Sequence, residues 1–207
     1  MENIENPFVN EGTKESLMEL ADANMKKTAE KEGKEADTLE VPEGDETVVW
    51  EAKGETYRIR LGEITQENWL EAVRLELGEG QSAFVAEPLG ILARGYVYRD
   101  CRARVWTVEE EGRIVGLALV REFDDEPLGY ELQQLLIDRR EQGRGVGFAA
   151  LTLVLDRLRA ESRWPTVEVC VKKTDAPALR VYEKAGFADS GYIDPAVPDA
   201  LNLVYTL

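Results

Sequence analysis

Histidine is absent from the 207 residues, and only two cysteines, Cys101 and Cys170, are present. The first absence removes Ser-His-Asp and Cys-His nucleophilic chemistry and every metal centre that relies on imidazole. The two thiols lie far apart and fit no metal-binding or redox spacing, so no metal is expected. Cys170, inside the apolar run 167–171, reads as a core residue. No apolar stretch is long enough to cross a bilayer and no secretory signal is recognisable, so a cytoplasmic protein without membrane contact is expected. Positive charge is also scarce, with 25 Lys and Arg against 41 Asp and Glu, a net charge of −16. A chain so acidic, with no basic stripe to follow phosphates, is not expected to bind nucleic acid.

The acid excess is uneven. Residues 1–55 carry 16 acidic and 6 basic side chains, against 25 and 19 in the remainder, so the total charge says little about a substrate. The composition divides the chain into an acidic leader over 1–46 and a folded domain over 47–207. Within the leader, Ser16 and Glu19 have the spacing of a capping box for a short helix, and 33–45 is charged and turn-rich, as linkers are.

Six residues carry the first chemical signal: Gln142-Gly143-Arg144-Gly145-Val146-Gly147. They stand between an apolar strand ending at Leu135-Leu136-Ile137 and a helix whose apolar residues, Phe148, Leu151, Leu155 and Leu158, recur at spacings of three and four. The first N–H groups of a helix have no intrahelical acceptor and carry partial positive charge, which suits a diphosphate. The spacing separates three phosphate-binding patterns. A dinucleotide fingerprint would need glycine where Phe148 stands, and a P-loop would need Gly-Lys-Ser/Thr, which is missing.

The pattern that fits is Q/R-x-x-G-x-G/A, filled by Gln142, Gly145 and Gly147, which resembles the coenzyme A loop of the GCN5-related N-acetyltransferases (GNAT). A second stretch, from Asp175 through Ala178 and Tyr182 to Gly186-Phe187, resembles that superfamily's N-x-x-A-x-x-x-Y-x-x-x-G-F, with aspartate in place of the usual asparagine. Ala178, Val181 and Tyr182 share one helix face, and Gly186 is a C-terminal stop. Tyr182 reads either as a core tyrosine or as a group beside the cofactor's sulfur. Glu131 lies where many members carry a general base, and also reads as a polar residue meeting solvent near a strand's start. Strict alternation would put Glu131, Gln133 and Leu135 on one sheet face.

The order of elements agrees with the resemblance over about 150 residues. Strands are expected over 47–52 and 55–61, then a helix capped by Thr65 and containing Trp69, Val73 and Leu77, then one from Pro88 through Tyr98. A hairpin of 102–108 and 114–120 turns at Glu111-Gly112. The strand over 129–138 follows, and strands over 167–171, 187–193 and 201–207 complete the sheet. The resemblance implies an α/β (α+β) fold: a mixed, mostly antiparallel twisted sheet of about seven strands flanked by four helices.

Its functional implication is direct transfer of an acetyl group from acetyl-CoA, as co-substrate, to a primary amine. In that reading Glu131 is the base, Tyr182 protonates the leaving thiolate, and a backbone N–H near Leu136 or Ile137 meets the thioester carbonyl. The implied cofactor contacts are Leu135, Leu136, Ile137, Gln142, Gly143, Arg144, Gly145, Val146, Gly147, Asp175, Ala178 and Tyr182, with Arg144, Lys172, Lys173, Arg180 and Lys184 as further phosphate partners. Glu67-Asn68-Trp69, Gln81, Phe84-Val85-Ala86 and Leu136-Ile137-Asp138 resemble bacterial diamine or spermine/spermidine N-acetyltransferases. That implies a small diamine or polyamine, met by Glu67, Glu87, Glu122, Asp124, Asp125 and Glu126. A protein, peptide or aminoglycoside amine, a non-catalytic acetyl-CoA-binding module, and a homodimer stay open.

Overall fold

A computed structural model describes residues 47–52, 55–123 and 128–207. The expected leader helix and linker, the turn at Lys53-Gly54 and the acidic residues Asp124, Asp125 and Glu126 lie outside them. Eight strands form one sheet in the order β1-β2-β3-β4-β5-β6-β8-β7. They are β1 Thr47–Ala52, β2 Glu55–Glu63, β3 Arg104–Glu110, β4 Arg113–Glu122, β5 Tyr130–Ile137, β6 Thr166–Lys172, β7 Ala188–Asp189 and β8 Ala200–Thr206. Four α-helices accompany them: α1 Trp69–Ala72, α2 Pro88–Val97, α3 Val146–Glu161 and α4 Ala176–Ala185. The two-residue β7 is the addition to seven full-length strands.

Every strand pair is antiparallel except β5 with β6, which α3 connects as a crossover. The β3–β4 hairpin turns where expected, with Glu111 at φ 50° and Gly112 at φ 79°. Two successive left-handed residues match the twist of the flanking strands. The larger core lies under α3 and α4 and includes Tyr130, Leu132, Leu151, Val154, Leu158, Val167 and Val169. A smaller core on the opposite face joins Ala72, Leu75 and Ile91 to Leu117, Leu119 and Leu136.

Several expectations are corrected. The helix starting near Thr65 stops at Ala72 and leaves Leu77 outside. The Glu76 N–H donates to Asp138 Oδ2 at 3.0 Å, and its carbonyl accepts from Arg139 N at 2.8 Å, so neither group is free to extend the helix. Thr65 Oγ1 accepts from the N–H groups of Glu67 and Asn68, and Asn68 occupies the cap position. The strand expected over 187–193 shrinks to β7, because Gly191 adopts φ 73° and turns its N–H back to Asp189 Oδ1. Cys170 is exposed. Its neighbours Val167, Val169 and Val171 fill the larger core, and a strand sends alternate residues to opposite faces.

The alternation expected for β5 fails as well. In its register with β4, Leu119 faces Gln134 and Val120 faces Leu132, so Gln133 is an inserted bulge residue. Tyr130 and Leu132 enter the larger core, and beyond the bulge Leu135 and Ile137 pack against it. Glu131 therefore lies on the opposite face from Leu135.

Candidate active site

The parallel ladder between β5 and β6 pairs only Tyr130 with Val167 and Glu131 with Glu168. Beyond it the two strands separate, and a cleft of about 480 Å³ opens along the freed edge of β5. Its walls are Leu135, Leu136 and Ile137 of β5, the turn before α3, one face of α4, and Leu77, Gln81, Phe84 and Val85 from the opposite layer.

Two glycines of the turn adopt left-handed backbone. Gly143 and Gly145 take φ 76° and 89°, a region in which other residues are strained. Gly145 is the N-cap of α3 with no side-chain cap bond, so the first helical N–H groups are not satisfied by a capping side chain. Gly147 differs from both. A Cβ there would meet only Ile137 Cγ1 at 3.6 Å, an ordinary contact. Protein packing thus does not demand glycine at this cleft-lining position, whereas a phosphate pressed against the backbone would.

Gln142 braces the turn from within. Its Nε2 donates to the Ile137 carbonyl at 2.8 Å and to Gln81 Oε1 at 2.9 Å, and Gln81 Nε2 donates back to Gln142 Oε1 at 3.1 Å. Asp138 fastens the same loop from behind. This buried carboxylate accepts from Glu76 N, from Arg140 N, and from Arg140 Nε and Nη2. Chiefly through the Arg140 hydrogen bond, its pKa is held down at about 2.

On α4, Asp175 accepts from Ala178 N at 3.2 Å and so caps its own helix. Gly186 ends that helix at φ 97°. Tyr182 lines the cleft, is buried, and packs edge-on against Phe187 with ring centroids 5.3 Å apart. Burial, followed by the negative charge of Asp175, pushes its pKa above that of an ordinary tyrosine. The phenol keeps its proton at neutral pH.

Of the sequence-derived cofactor contacts, Leu135, Leu136, Ile137, Gln142, Gly143, Gly145, Gly147, Asp175, Ala178 and Tyr182 line this one cleft. Arg144 and Val146 do not. The Arg144 guanidinium is paired with Glu110 and Glu141 and stacks 4.4 Å over the Tyr57 ring, while Val146 points into the core. Either can offer only its backbone. Arg180 and Lys184 do line the cleft, whereas Lys172 pairs with Asp199 and Lys173 donates to the Pro198 carbonyl. Phe148, Pro177 and Val181 are further wall residues that spacing did not single out for this role.

Glu131 stands apart from the cleft lining, at the last paired position before the strands separate. It is ion-paired with Arg121, whose guanidinium stacks 4.9 Å over Tyr98. Glu122, expected at an ammonium-accepting mouth, is buried and bonded to Arg163 at 2.9 Å. Among the described residues no helix is long and apolar enough to span a membrane, and no group of three or more Cys, Asp or Glu side chains is placed to hold a metal.

Comparison with known proteins converges on one family. The model of the acetyltransferase (GNAT) family matches residues 63–187. A curated mycothiol acetyltransferase from Acidothermus cellulolyticus is 46% identical over 66 residues, covering 32% of this chain and 20% of that protein. The chain thus matches about a fifth of that relative's length. Among solved structures, the GNAT domain of S. lividans PAT superposes with a TM-score of 0.61 at 16% identity, over 81% of this chain and all of that one. A spermidine N-acetyltransferase from Vibrio cholerae, in complex with CoA and spermine, gives 0.57 at 16% identity over 72% and 95%. At such identities the superpositions speak to the fold.

Proposed function

Because this chain belongs to the acetyltransferase (GNAT) family, we propose that it acetylates a primary amine, with a diamine or polyamine as the favoured acceptor. The observation that carries the reading is the cleft itself. A left-handed glycine turn, a glycine that packing does not require, and a protonated buried tyrosine meet along the open edge of β5. The residues fit acetyl-CoA, which supplies an activated acetyl thioester.

In this reading the N-terminal N–H groups of α3, with Arg180 and Lys184, hold the diphosphate. The freed edge of β5 at Leu135 to Ile137 holds the pantetheine arm and offers an N–H to the carbonyl as negative charge develops on it. Tyr182 gives its proton to the departing sulfur. An acceptor amine is mostly ammonium at neutral pH, so a carboxylate must first remove a proton. Glu131 and its cross-strand neighbour Glu168 are the carboxylates at the mouth of the split. The polyamine preference rests on the resemblance around Trp69, Gln81 and Phe84, and on the carboxylates of Glu131 and Glu168 beside the split.

Free-thiol release from acetyl-CoA, measured across a panel of diamines, polyamines, amino acids, peptides and aminoglycosides, tests both levels. Faster thiol release with a diamine or polyamine than with any other acceptor is the expected result; a preference for peptides, amino acids or monoamines rejects the acceptor. The ion pair that occupies Glu131 favours one second reading, a module that binds acetyl-CoA without turnover. It predicts a thermal shift with acetyl-CoA and no thiol release with any amine.

A further inference from the structure

The bulge in β5 separates the face that would hold the donor from the face that carries the carboxylates. Paired residues of neighbouring strands project to the same side of a sheet, so Glu131 and Glu168 lie together, opposite the core that takes Tyr130, Leu132, Val167 and Val169. They are the last pair before the strands part. Two residues further along the same face of β6, Cys170 is exposed, so this face of β6 is reached by solvent there. An acceptor entering from it meets the two carboxylates before it reaches the gap.

The two are not equivalent. Glu131 is committed to Arg121, in an ion pair backed by the Tyr98 ring. Glu168 has no ion-pair partner among the described residues, and it is half-buried. We propose that Glu168 takes the proton from the acceptor ammonium, while Glu131, engaged by Arg121, is its positioning neighbour. The inference rests on the acetyl-transfer reading above. In the step, an N–H bond of the ammonium breaks and an O–H bond forms on the Glu168 carboxylate. The electron pair stays on nitrogen, which then attacks the thioester carbon, and the carboxyl returns its proton to water. After the C–S bond breaks, the proton that Tyr182 gives to sulfur is replaced by the second proton leaving the nitrogen.

The electrostatics agree with the geometry. Burial, and then the charge of Glu131, raise the pKa of Glu168 above the ordinary carboxylate value, which suits it to accept a proton. Among the described residues, the other titratable groups acting on this cluster are Arg121, Tyr98, Cys101, Cys170, Asp194 and Asp199.

The test compares kcat against pH, at saturating acetyl-CoA, for wild type, Glu168→Gln, Glu168→Asp and Glu131→Gln, with acetyl-CoA affinity measured by calorimetry on each. Glu168→Gln should lose roughly 10²- to 10⁴-fold in kcat with unchanged acetyl-CoA affinity, and Glu168→Asp should recover part of that. Glu131→Gln should keep the acidic limb of the profile and move it to lower pH, because it removes a charge that raises the Glu168 pKa. Full turnover in Glu168→Gln, or disappearance of the limb in Glu131→Gln, overturns the assignment. If Glu168→Gln does not fold, the direction of the Glu131→Gln shift decides alone. A wild-type protein that binds acetyl-CoA but acetylates no amine overturns the parent reading, and the wild-type assay reports this before any variant is needed.

Discussion

Replacing Gly147 with glutamate should raise the stability of the fold and remove acetyl-CoA binding, two effects of opposite sign from one side chain. Gly147 is the second residue of α3, and a Cβ there finds only Ile137 Cγ1 at 3.6 Å. Exchanging glycine for glutamate inside a helix gains roughly 0.5 kcal/mol. A carboxylate in the first turn adds about 0.3–1 kcal/mol through the macrodipole. A gain of about 1 kcal/mol corresponds to a Tm rise of about 2–4 °C for a chain of this size. The same carboxylate projects into the cleft where the diphosphate would lie. Losing one or two charge-assisted hydrogen bonds costs about 3 kcal/mol, on the order of a hundredfold in Kd. Gly147→Ala is the control, since its Cβ makes an ordinary contact, and it should bind within about tenfold of wild type. Differential scanning calorimetry and isothermal titration read the two effects separately. A folded Gly147→Glu protein with wild-type affinity refutes the phosphate cradle, and one that melts well below wild type refutes the claim that packing leaves this position free. Gly145 is a poorer probe, because at φ 89° any side chain strains the backbone.

Tyr182→Phe should lower turnover by roughly 10²- to 10⁴-fold with a smaller change in acetyl-CoA affinity; undiminished single-turnover rates would remove Tyr182 from the chemistry. The Asp138 carboxyl, lowered from 3.8 to about 2 mainly by Arg140, contributes about 2 kcal/mol of stability. A depressed folded-state pKa gives stability that is present above the unfolded value and lost as pH falls through the folded one, so the loss spans about pH 4 to 2. Asp138→Asn should be about that much less stable at neutral pH, and its deficit should shrink as the pH falls from about 4 to 2; urea unfolding curves that keep the same separation from wild type across that window would reject the assignment. If a polyamine is the acceptor, its kcat/KM should fall as salt screens the outer ammonium groups; a profile flat in ionic strength would count against a polycation.

What could be read from the sequence was local. The glycine-rich turn stands between β5 and α3, Ala178, Val181 and Tyr182 share the face of α4 that lines the cleft, and Gly186 stops that helix. Each of these roles is fixed by neighbours within a few residues. Features set by distant partners were not legible. The end of α1 depends on Asp138, 62 residues away from Glu76, and the Arg144 guanidinium is claimed by Glu110, 34 residues upstream. The bulge at Gln133 exists only as a register between two strands. The doubled Gln133-Gln134 interrupts the alternation of 130–132 at that point, but strict alternation carried across it puts Glu131 and Leu135 on one face, where the register sets them on opposite faces. The run 167–171 is Val-Glu-Val-Cys-Val, and Glu168 already marks the face turned away from the core, so Cys170, two residues on, shares that face.

The one-residue insertion at Gln133 makes β5 a partition with two differently furnished sides. Its first half turns Glu131 toward the open face, and its second half turns Leu135 and Ile137 toward the helices. If donor and acceptor arrive as proposed, they approach through separate doors and meet only at the gap. Neither has to leave before the other enters, and steady-state lines for the two should intersect instead of running parallel. It also uncouples the two recognition problems in the gene. Residues around Glu131 and Glu168, which do not line the donor cleft, can then change to accept a new amine with the glycine turn left as it is.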